Sequence, residues 1–487
     1  MIDWIKKNQY GLSFSLGIIL ALSAFVFNPF ALKPEACKSV SVAVLMITWW
    51  ISEALPMAAV ALLPLVLLPL LQVTSIEETA KAYSNPVIFL FMGGFMIGLA
   101  IQKWNLHKRI ALQIVKLTGT SGDRIILGFI IATGFLSMWL SNTATTMMMF
   151  PIALSVIAVM KEREKPGPGM INFSLVLMLV IAYASNIGGM GTIIGTPPNV
   201  AFIGYIEKKY GYTVQFLDWM MLCTPLVIVL LAALYFVLTK WLFPNRIKSS
   251  KEAALLMQKE LSALGKLSVA EKRVLTVFVS TALLWITKDF INELHWLRFD
   301  DNMIAILGAL ALFAIPSGVK DENKAKRLLE WKDTSKMAWG ILLLFGGGIA
   351  LANSLEKTGV MVQVGNWLAG FSHSGGFTLV LVIVVISIFL SELMSNTAQV
   401  IMMAPVLAAL ADALHLDPLL LGLPMTLAAS AASMMPIGTP PNAIVFGSGL
   451  IRLKDMLKAG FVMNLISIIV ITLFSWFFLP LIMRIIN

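Results

Sequence analysis

The residues best suited to binding chemistry in this chain form a duplicated Ser-Asn-Thr triplet. The first copy, residues 137–151, reads SMWLSNTATTMMMFP, and the second, residues 391–405, reads SELMSNTAQVIMMAP about 254 residues later. The identical positions are Ser137, Ser141, Asn142, Thr143, Ala144, Met148, Met149 and Pro151, matched by Ser391, Ser395, Asn396, Thr397, Ala398, Met402, Met403 and Pro405. Hydroxyl and amide groups can donate hydrogen bonds to an anion or offer oxygen to a cation. Within apolar segments, the two triplets therefore predict a matched pair of binding elements.

Two further motifs are duplicated in the same order. Gly-Thr-Pro-Pro-Asn occurs at 195–199 and again at 438–442. Upstream of the triplets, Phe91, Gly93 and Gly94 return as Phe345, Gly347 and Gly348. A Pro-Pro step removes two backbone donors and disfavours helix in the residue before it, so Thr196 and Thr439 are predicted at unwound points. The chain therefore consists of two homologous halves, an architecture typical of secondary transporters.

The composition predicts an all-α membrane protein. Of the 487 residues 58% are hydrophobic and 13% are charged, and the mean hydropathy is +0.86. The apolar runs at 11–31, 40–71, 175–206 and 460–483 are long enough to cross a hydrocarbon core of roughly 30 Å. The net charge of +10 is explained by cytoplasmic loops rather than by nucleic acid, because basic residues mark the inner face of a polytopic protein.

The distribution of basic residues predicts the topology. They cluster at 103–116, 161–165, 246–273 and 320–336, with a smaller group at 452–458, and we place these segments inside the cell. About eleven spanning helices result, with the amino terminus cytoplasmic and the carboxyl terminus outside. The first triplet is flanked by basic clusters, whereas residues 358–451 contain no Lys or Arg. The two repeats are therefore predicted to be inverted.

Each triplet is predicted to form the tip of a re-entrant hairpin, over about 123–160 and about 377–413. The resulting division is an amino-terminal helix at 1–38, a first inverted repeat at 39–244, a cytoplasmic linker at 245–272 and a second inverted repeat at 273–487. Polar residues in membranes also cap helices or join packed helices, and a single triplet would suit that role as well. Two triplets, each followed by a Pro-Pro break, favour a site at the bilayer centre.

The chemistry predicted for this site is neutral. Unwound backbone frees carbonyl oxygens, and Gly188, Gly189, Gly191, Gly195 and Gly438 allow a close approach to an ion. Carbonyl, hydroxyl and amide oxygens suit a hard monovalent cation such as sodium, while the helix N-termini attract anions. Arg, Lys and His are absent from all four motifs. A bound anion would then be neutralised by cations bound beside it, which couples the transport of the two.

Together with the early Trp-Trp-Ile-Ser-Glu-Ala-Leu-Pro segment at 49–56, these motifs closely resemble the divalent anion/sodium symporter family over nearly the whole chain. The resemblance implies a multi-pass protein of the bacterial cytoplasmic membrane. It also implies a homodimer whose protomers each combine a scaffold domain with a transport domain that moves as an elevator. The implied function is sodium-coupled import of C4-dicarboxylates such as succinate, malate and fumarate, with Na⁺ as coupling ion and no organic cofactor.

The resemblance also implies the roles of particular residues. One sodium site would use Ser137, Ser141, Asn142 and Gly195. The other would use Ser391, Ser395, Asn396 and Gly438. The residues implied for the dicarboxylate are Asn142, Thr143, Thr196, Asn396, Thr397, Thr439 and Pro440.

Several alternatives remain open at this point. Within the family the passenger could be citrate, 2-oxoglutarate or sulfate, or the mechanism could be exchange of 2-oxoglutarate for succinate. An ion channel would instead require rings of like residues around a pore. The sequence contains no nucleophile–base pair, paired aspartates or His-rich motif, so an enzyme is not expected. Glu53 and Glu392 stand in apolar surroundings, and the four histidines, His107, His295, His373 and His415, are expected at the surface.

Overall fold

The structure is a computed structural model that describes residues 2–28, 31–163, 167–245, 247, 251–295, 298–319, 326–370 and 376–481. Twenty-two α-helices cover this described part, and it contains no strand beyond one isolated bridge between Pro316 and Arg327. The all-helical prediction is confirmed. His373 and the basic residues Lys165, Arg246 and Lys320 lie outside the described residues.

The chain divides into two compact units. The first unit contains Met1–Ile88, Val200–Thr213 and Ala338–Ala429, and the second contains Phe89–Asn199, Val214–Met337 and Ser430–Asn487. The helices up to residue 103 are α1 Ile2–Phe27, α2 Pro34–Ile51, α3 Met57–Val60, α4 Leu63–Leu70, α5 Ile76–Lys81 and α6 Pro86–Lys103. Within the first unit, α1 packs on α2, where Phe14 stacks on Trp49 and its carbonyl oxygen accepts a hydrogen bond from the indole at 3.1 Å.

The helices around the first triplet and the linker follow in order. They are α7 Leu106–Thr118, α8 Gly122–Ser137, α9 Asn142–Arg163, α10 Pro168–Gly189, α11 Pro197–Tyr210, α12 Phe216–Phe236, α13 Lys251–Ala263, α14 Val269–Glu293 and α15 Asp301–Ala314. Start signals in the sequence explain several of these boundaries. Proline stands at the start of α10, Ser268 forms a capping box with Glu271 at α14, and the Asp300 side chain caps α15.

The remaining helices belong to the second repeat. They are α16 Trp339–Lys357, α17 Val360–Ala369, α18 Gly376–Ser391, α19 Asn396–Ala413, α20 Pro418–Ser430, α21 Pro440–Phe446 and α22 Leu453–Leu473. Among the described residues, eight helices are long and apolar enough to cross a membrane. A polytopic membrane protein is thus the class of fold, while the number of about eleven crossings stays a prediction.

The two repeats share one order of helices. Helices α6, α7, α8 and α9 recur as α16, α17, α18 and α19 in the register of about 254 residues. Even local details recur, since Asn105 before α7 has φ 55° and Gly359 before α17 has φ 76°. Both residue types tolerate this left-handed conformation. The lysines that end the matching helices α6 and α16 are also each paired with a carboxylate, Lys103 with Asp333 at 2.6 Å and Lys357 with Glu78 at 2.8 Å.

The linker forms helix α13, which packs against α7 and α9 inside the second unit. The segment after it is held by Arg109 of α7, a buried side chain that pairs with Glu271 at 2.8 Å. The same guanidinium donates to the Gly265 carbonyl at 2.9 Å and to the Leu264 carbonyl at 3.1 Å. A buried arginine requires partners of this kind for its donors, and here they anchor the linker to the first repeat.

Candidate functional site

The first triplet lies at a break between two helices. Helix α8 ends at Ser137, residues 138–141 are not helical, and α9 begins at Asn142. The Ser137 hydroxyl donates to Asn142 Oδ1 at 2.8 Å across the break. Ser141 Oγ accepts from the Ala144 amide at 3.3 Å, which satisfies one of the free donors at the start of α9. The hydroxyl and amide oxygens predicted for the first sodium site are thus gathered at one turn.

Glycines bring backbone oxygen to the same turn. A Cβ atom at Gly189 would lie 2.4 Å from Asn142 Oδ1, and one at Gly195 would lie 2.4 Å from the Gly189 carbonyl oxygen. Side chains larger than hydrogen would therefore displace the asparagine or the backbone. The structure brings together Ser137, Ser141, Asn142 and the Gly189–Gly195 backbone within the second unit. Gly189 has the same steric requirement as the predicted ligand Gly195.

The second triplet repeats this geometry within the first unit. Helix α18 ends at Ser391, residues 392–395 are not helical, and α19 begins at Asn396. Ser391 Oγ lies 2.6 Å from Asn396 Oδ1 and 2.5 Å from the Ala429 carbonyl oxygen. Two acceptor oxygens thus share the single hydroxyl hydrogen of Ser391, and the three oxygens together suit a hard cation. Gly438 belongs to the second unit, and its part in this sodium site stays a prediction.

The Pro-Pro motifs follow unwound segments, which confirms the prediction for Thr196 and Thr439. Helix α10 ends at Gly189 and α11 begins at Pro197, while α20 ends at Ser430 and α21 begins at Pro440. Thr439 is the N-cap of α21, and its Oγ1 accepts from the backbone amide of Asn442 at 3.3 Å. At the first motif the Asn199 amide is bonded instead to the Thr196 carbonyl oxygen at 3.2 Å.

The final asparagine of each Pro-Pro motif closes the unwound segment before it. Asn199 Nδ2 donates to the Gly189 carbonyl at 3.1 Å and to the Thr192 carbonyl at 2.8 Å. Asn442 Nδ2 donates to the Met435 carbonyl at 3.1 Å. Both side chains are fully buried. Sequence reasoning assigned them no role, although their repetition in Gly-Thr-Pro-Pro-Asn was a visible signal.

The intramembrane carboxylates occupy different surroundings. Glu392 lies buried in the break that precedes the second triplet. Glu53 is exposed between α2 and α3 and has φ 50°. Among the described residues, no group of three or more His, Cys, Asp or Glu side chains could hold a metal ion. The hydroxyl and amide oxygens of Ser137 with Asn142 and of Ser391 with Asn396 are neutral, and such oxygens favour a monovalent cation over a transition metal.

Helix starts complete the chemistry of the two breaks. The amide groups in the first turns of α9 and α19 have no helical partners at i−4, so they carry the positive end of the helix dipole. Asn142 and Asn396, the first residues of these helices, are only half-buried, whereas Ser137 and Ser391 are fully buried. Each tip can therefore present donors to an anion and oxygens to a cation.

A duplicated set of broken helices with neutral binding groups defines a polytopic membrane protein of the secondary-transporter class. The chain belongs to the divalent anion/sodium symporter family, since the model of the sodium:sulfate symporter transmembrane region matches residues 6–484.

Two curated relatives have similar length. A protein of Staphylococcus saprophyticus named sodium-dependent dicarboxylate transporter SdcS is 42% identical over 487 residues, which are 98% of this chain and 93% of the relative. A protein of the same name from Staphylococcus aureus strain USA300 is 40% identical over 491 residues, covering 99% of this chain and 94% of the relative.

Two solved structures share the fold at low sequence identity. The YdaH transporter of Alcanivorax borkumensis aligns with a TM-score of 0.55 and 13% identity, over 82% of this chain and 87% of that one. MtrF of Neisseria gonorrhoeae aligns with a TM-score of 0.51 and 13% identity, over 82% and 83% of the two chains. These alignments concern the arrangement of helices alone.

Proposed function

We propose that this protein imports C4-dicarboxylates such as succinate, malate and fumarate together with sodium ions. The observation that carries the proposal is the duplicated oxygen cluster at the two breaks, Ser137 with Asn142 and Ser391 with Asn396. The curated relatives, at about 40% identity over nearly the whole chain, are named sodium-dependent dicarboxylate transporters.

Electrostatics supports the coupling of sodium to the anion. The four motifs contain no basic side chain, so no side chain in them carries a positive charge to offset the two charges of a dicarboxylate. A dianion without counter-charge is strongly disfavoured away from water. Sodium ions bound to the neutral oxygens supply that charge, and reciprocal linkage then makes each ligand raise the affinity for the other.

The proposed roles of the residues follow the motifs. One sodium ion binds Ser137, Ser141, Asn142 and Gly195, and another binds Ser391, Ser395, Asn396 and Gly438. The dicarboxylate is bound by Asn142, Thr143, Thr196, Asn396, Thr397, Thr439 and Pro440. The inverted orientation of the repeats, the homodimer and the elevator movement are parts of the same proposal.

Sulfate is the second candidate passenger, because the family description names a sodium:sulfate symporter. Sulfate and a dicarboxylate are both small dianions, and neutral hydroxyl and amide donors bind either. Competition experiments separate the two. An exchanger would transport its substrate against a trapped dicarboxylate without sodium, and a channel would show conductance that does not saturate.

The test is uptake of radiolabelled succinate into proteoliposomes that contain the purified protein. An inward sodium gradient is compared with a choline gradient, and unlabelled malate, fumarate, citrate, 2-oxoglutarate and sulfate serve as competitors. We expect saturable uptake that requires sodium and is inhibited most strongly by malate or fumarate. Equal uptake in choline, or inhibition by sulfate alone, would contradict the proposal.

A further inference from the structure

A buried chain of hydrogen bonds connects the first repeat to the Thr439 hydroxyl inside the second unit. Asn186, on α10, donates from Nδ2 to Thr439 Oγ1 at 3.1 Å and to Asn442 Oδ1 at 3.4 Å. Asn442 in turn donates from Nδ2 to the Met435 carbonyl oxygen at 3.1 Å. Only 2% of Asn186 is exposed, and Asn442 is fully buried. Water therefore does not compete for these groups.

The direction of every bond in this chain is fixed by its chemistry. A carbonyl oxygen only accepts, so the Met435 carbonyl requires the NH₂ group of Asn442. Asn442 Oδ1 then faces Asn186 and requires an NH₂ group there too. Asn186 must consequently donate to Thr439 Oγ1, which also accepts from the Asn442 backbone amide at 3.3 Å. Both lone pairs of the threonine oxygen are occupied, so its hydrogen is left to donate elsewhere.

We propose that Asn186 is a positioning residue that presets the Thr439 hydroxyl as a hydrogen-bond donor to a carboxylate of the passenger. This inference rests on the proposed function, in which Thr439 binds the dicarboxylate. A hydroxyl that is free to rotate can accept as well as donate, and it loses that freedom when an anion binds. With the orientation set in advance, the anion meets a donor that needs no reorganisation.

The first repeat lacks this device. In the register of the Pro-Pro motifs, Asn199 is the counterpart of Asn442. Within the described part of the chain, Asn199 Oδ1 is buried without a hydrogen-bond partner. The backbone amide of Asn199 donates to the Thr196 carbonyl rather than to the Thr196 hydroxyl. The preset donor is therefore a property of Thr439, although the residue that sets it belongs to the first repeat.

The test measures initial uptake of radiolabelled succinate against its concentration, at saturating sodium, in proteoliposomes. The variants are Asn186→Leu, Thr439→Val and the double variant. A hydrogen bond to a charged group is worth enough to raise KM by roughly tenfold or more in each single variant. Because Asn186 acts through Thr439, the double variant should match the weaker-binding single variant within about twofold.

Two controls separate positioning from general damage. Ser185→Ala removes a neighbouring buried bond, Ser185 Oγ to Thr146 Oγ1 at 2.9 Å, and should leave the succinate KM within about twofold of native. In Asn186→Leu the sodium concentration for half-maximal uptake, measured at saturating succinate, should also stay within about twofold. If Asn186→Leu does not reach the membrane, Asn186→Ala takes its place.

Three results would overturn the inference. They are an unchanged succinate KM in the Asn186 variant, a double variant whose KM effect is the product of the two single effects, and an equal shift in sodium dependence. If the native protein takes up succinate with sodium and one of these results occurs, the positioning role alone is wrong. Absence of sodium-driven uptake in the native protein would overturn the proposed function and, with it, this role.

Discussion

Helices α8 and α9, here called the first hairpin, are broken after a serine and restart at an asparagine, and so are α18 and α19, here called the second hairpin. Helices α8 and α18 are nevertheless packed against their neighbours by different means. In the first hairpin, α8 approaches α10 through glycines, since a Cβ atom at Gly188 would lie 2.3 Å from the Gly134 carbonyl oxygen. In the second, hydroxyls of α18 reach carbonyls of α20, Ser387 to Met425 at 2.8 Å and Ser391 to Ala429 at 2.5 Å. Close backbone contact and interhelical hydrogen bonds are two ways of joining helices without a hydrophobic driving force.

The difference continues one turn away from the tips. Gln399 Nε2 donates to Ser387 Oγ at 2.6 Å and to the Ser387 carbonyl at 2.9 Å. The counterparts of this pair in the first hairpin are Thr145 and Thr133. Within the described residues, the Oγ1 atoms of both threonines are buried without a partner. The repeats have thus kept the atoms at the breaks and diverged in the atoms that support them.

The largest expected effect tests whether the two breaks are equivalent in function. Asn142→Ala and Asn396→Ala should each abolish sodium-stimulated succinate uptake, because each removes the oxygen that Ser137 or Ser391 contacts. Loss of a ligand to a charged group corresponds to roughly a hundredfold or greater decrease in uptake. Proteoliposome uptake measures the effect, and size-exclusion chromatography checks folding. Met147→Leu, an exposed position on α9, is the matched control.

Full activity in both asparagine variants would show that the duplicated cluster is not the site. Loss of uptake in only one variant would show that the two repeats differ in their roles in binding sodium and the passenger. The sodium dependence of the surviving variant would then identify which ion site remains.

The second prediction concerns the glycine contact of the first hairpin. Gly188→Ala places a methyl group where backbone atoms of Gly134 already lie, so α8 and α10 must separate. Overpacking of this kind costs about 1–3 kcal/mol or more of stability. Thermal denaturation of the purified protein measures the loss. Gly11→Ala, a helical position with no atom within 4 Å of the added carbon, should be neutral or slightly stabilising, and an equal loss there would remove the steric explanation.

The sequence predicted the elements that local chemistry determines. The breaks before Pro197 and Pro440 follow from the Pro-Pro steps, and the repeat of helices α6–α9 as α16–α19 follows the duplicated motifs. Spacing alone does not indicate the contacts of Ser137 and Ser391 with their asparagines, although the family resemblance places both serines in sodium sites. The two serines end their helices in the same register, which is why the duplicated motifs bring each of them to its asparagine.

Residues whose roles depend on distant contacts could not be predicted. Asn186 meets Thr439 across more than half of the chain, and no local pattern indicates that contact. The expectation that the histidines lie at the surface is wrong for His107, which is 8% exposed and bonded to the Ile101 carbonyl at 2.9 Å. The left-handed turn at Asn105 lies between α6 and α7, and across it the His107 ring reaches the Ile101 carbonyl.

The third prediction compares the hydroxyls one turn from the tips. Ser387→Ala removes the bond to the Met425 carbonyl and the hydroxyl that accepts from Gln399 Nε2. Stability should therefore fall by about 0.5–1.5 kcal/mol. Its counterpart Thr133→Val replaces a buried hydroxyl, which has no partner among the residues that the structure describes, by a methyl group of the same size. That change should be neutral or stabilising by up to about 1 kcal/mol. Equal destabilisation in both denaturation curves would contradict the difference between the hairpins.

The smallest expected effect is on the pH dependence of stability, and it concerns His107. Its counterpart in the register of the repeats is Met361. Helix α7 is outside the candidate membrane spans. Burial lowers the pKa of His107, opposed by its bond to the Ile101 carbonyl and aided by the charge of Lys108. The native ring therefore binds fewer protons than the unfolded ring, whose pKa is about 6.5.

Stability should consequently fall as the pH decreases below about 6.5, with a slope that cannot exceed roughly 1.4 kcal/mol per pH unit for one group. His107→Met installs the buried residue of the second repeat and removes that titration. Between pH 7 and pH 5 the melting temperature of the native protein should therefore drop further than that of the variant, by about 1 °C if the difference is 1 kcal/mol. An equal fall in melting temperature for the two proteins would mean that His107 accepts its proton in the folded state as readily as in the unfolded chain. Opening of the turn around Asn105 at acidic pH would allow this, and faster hydrogen exchange of the α7 amides at that pH would detect the opening.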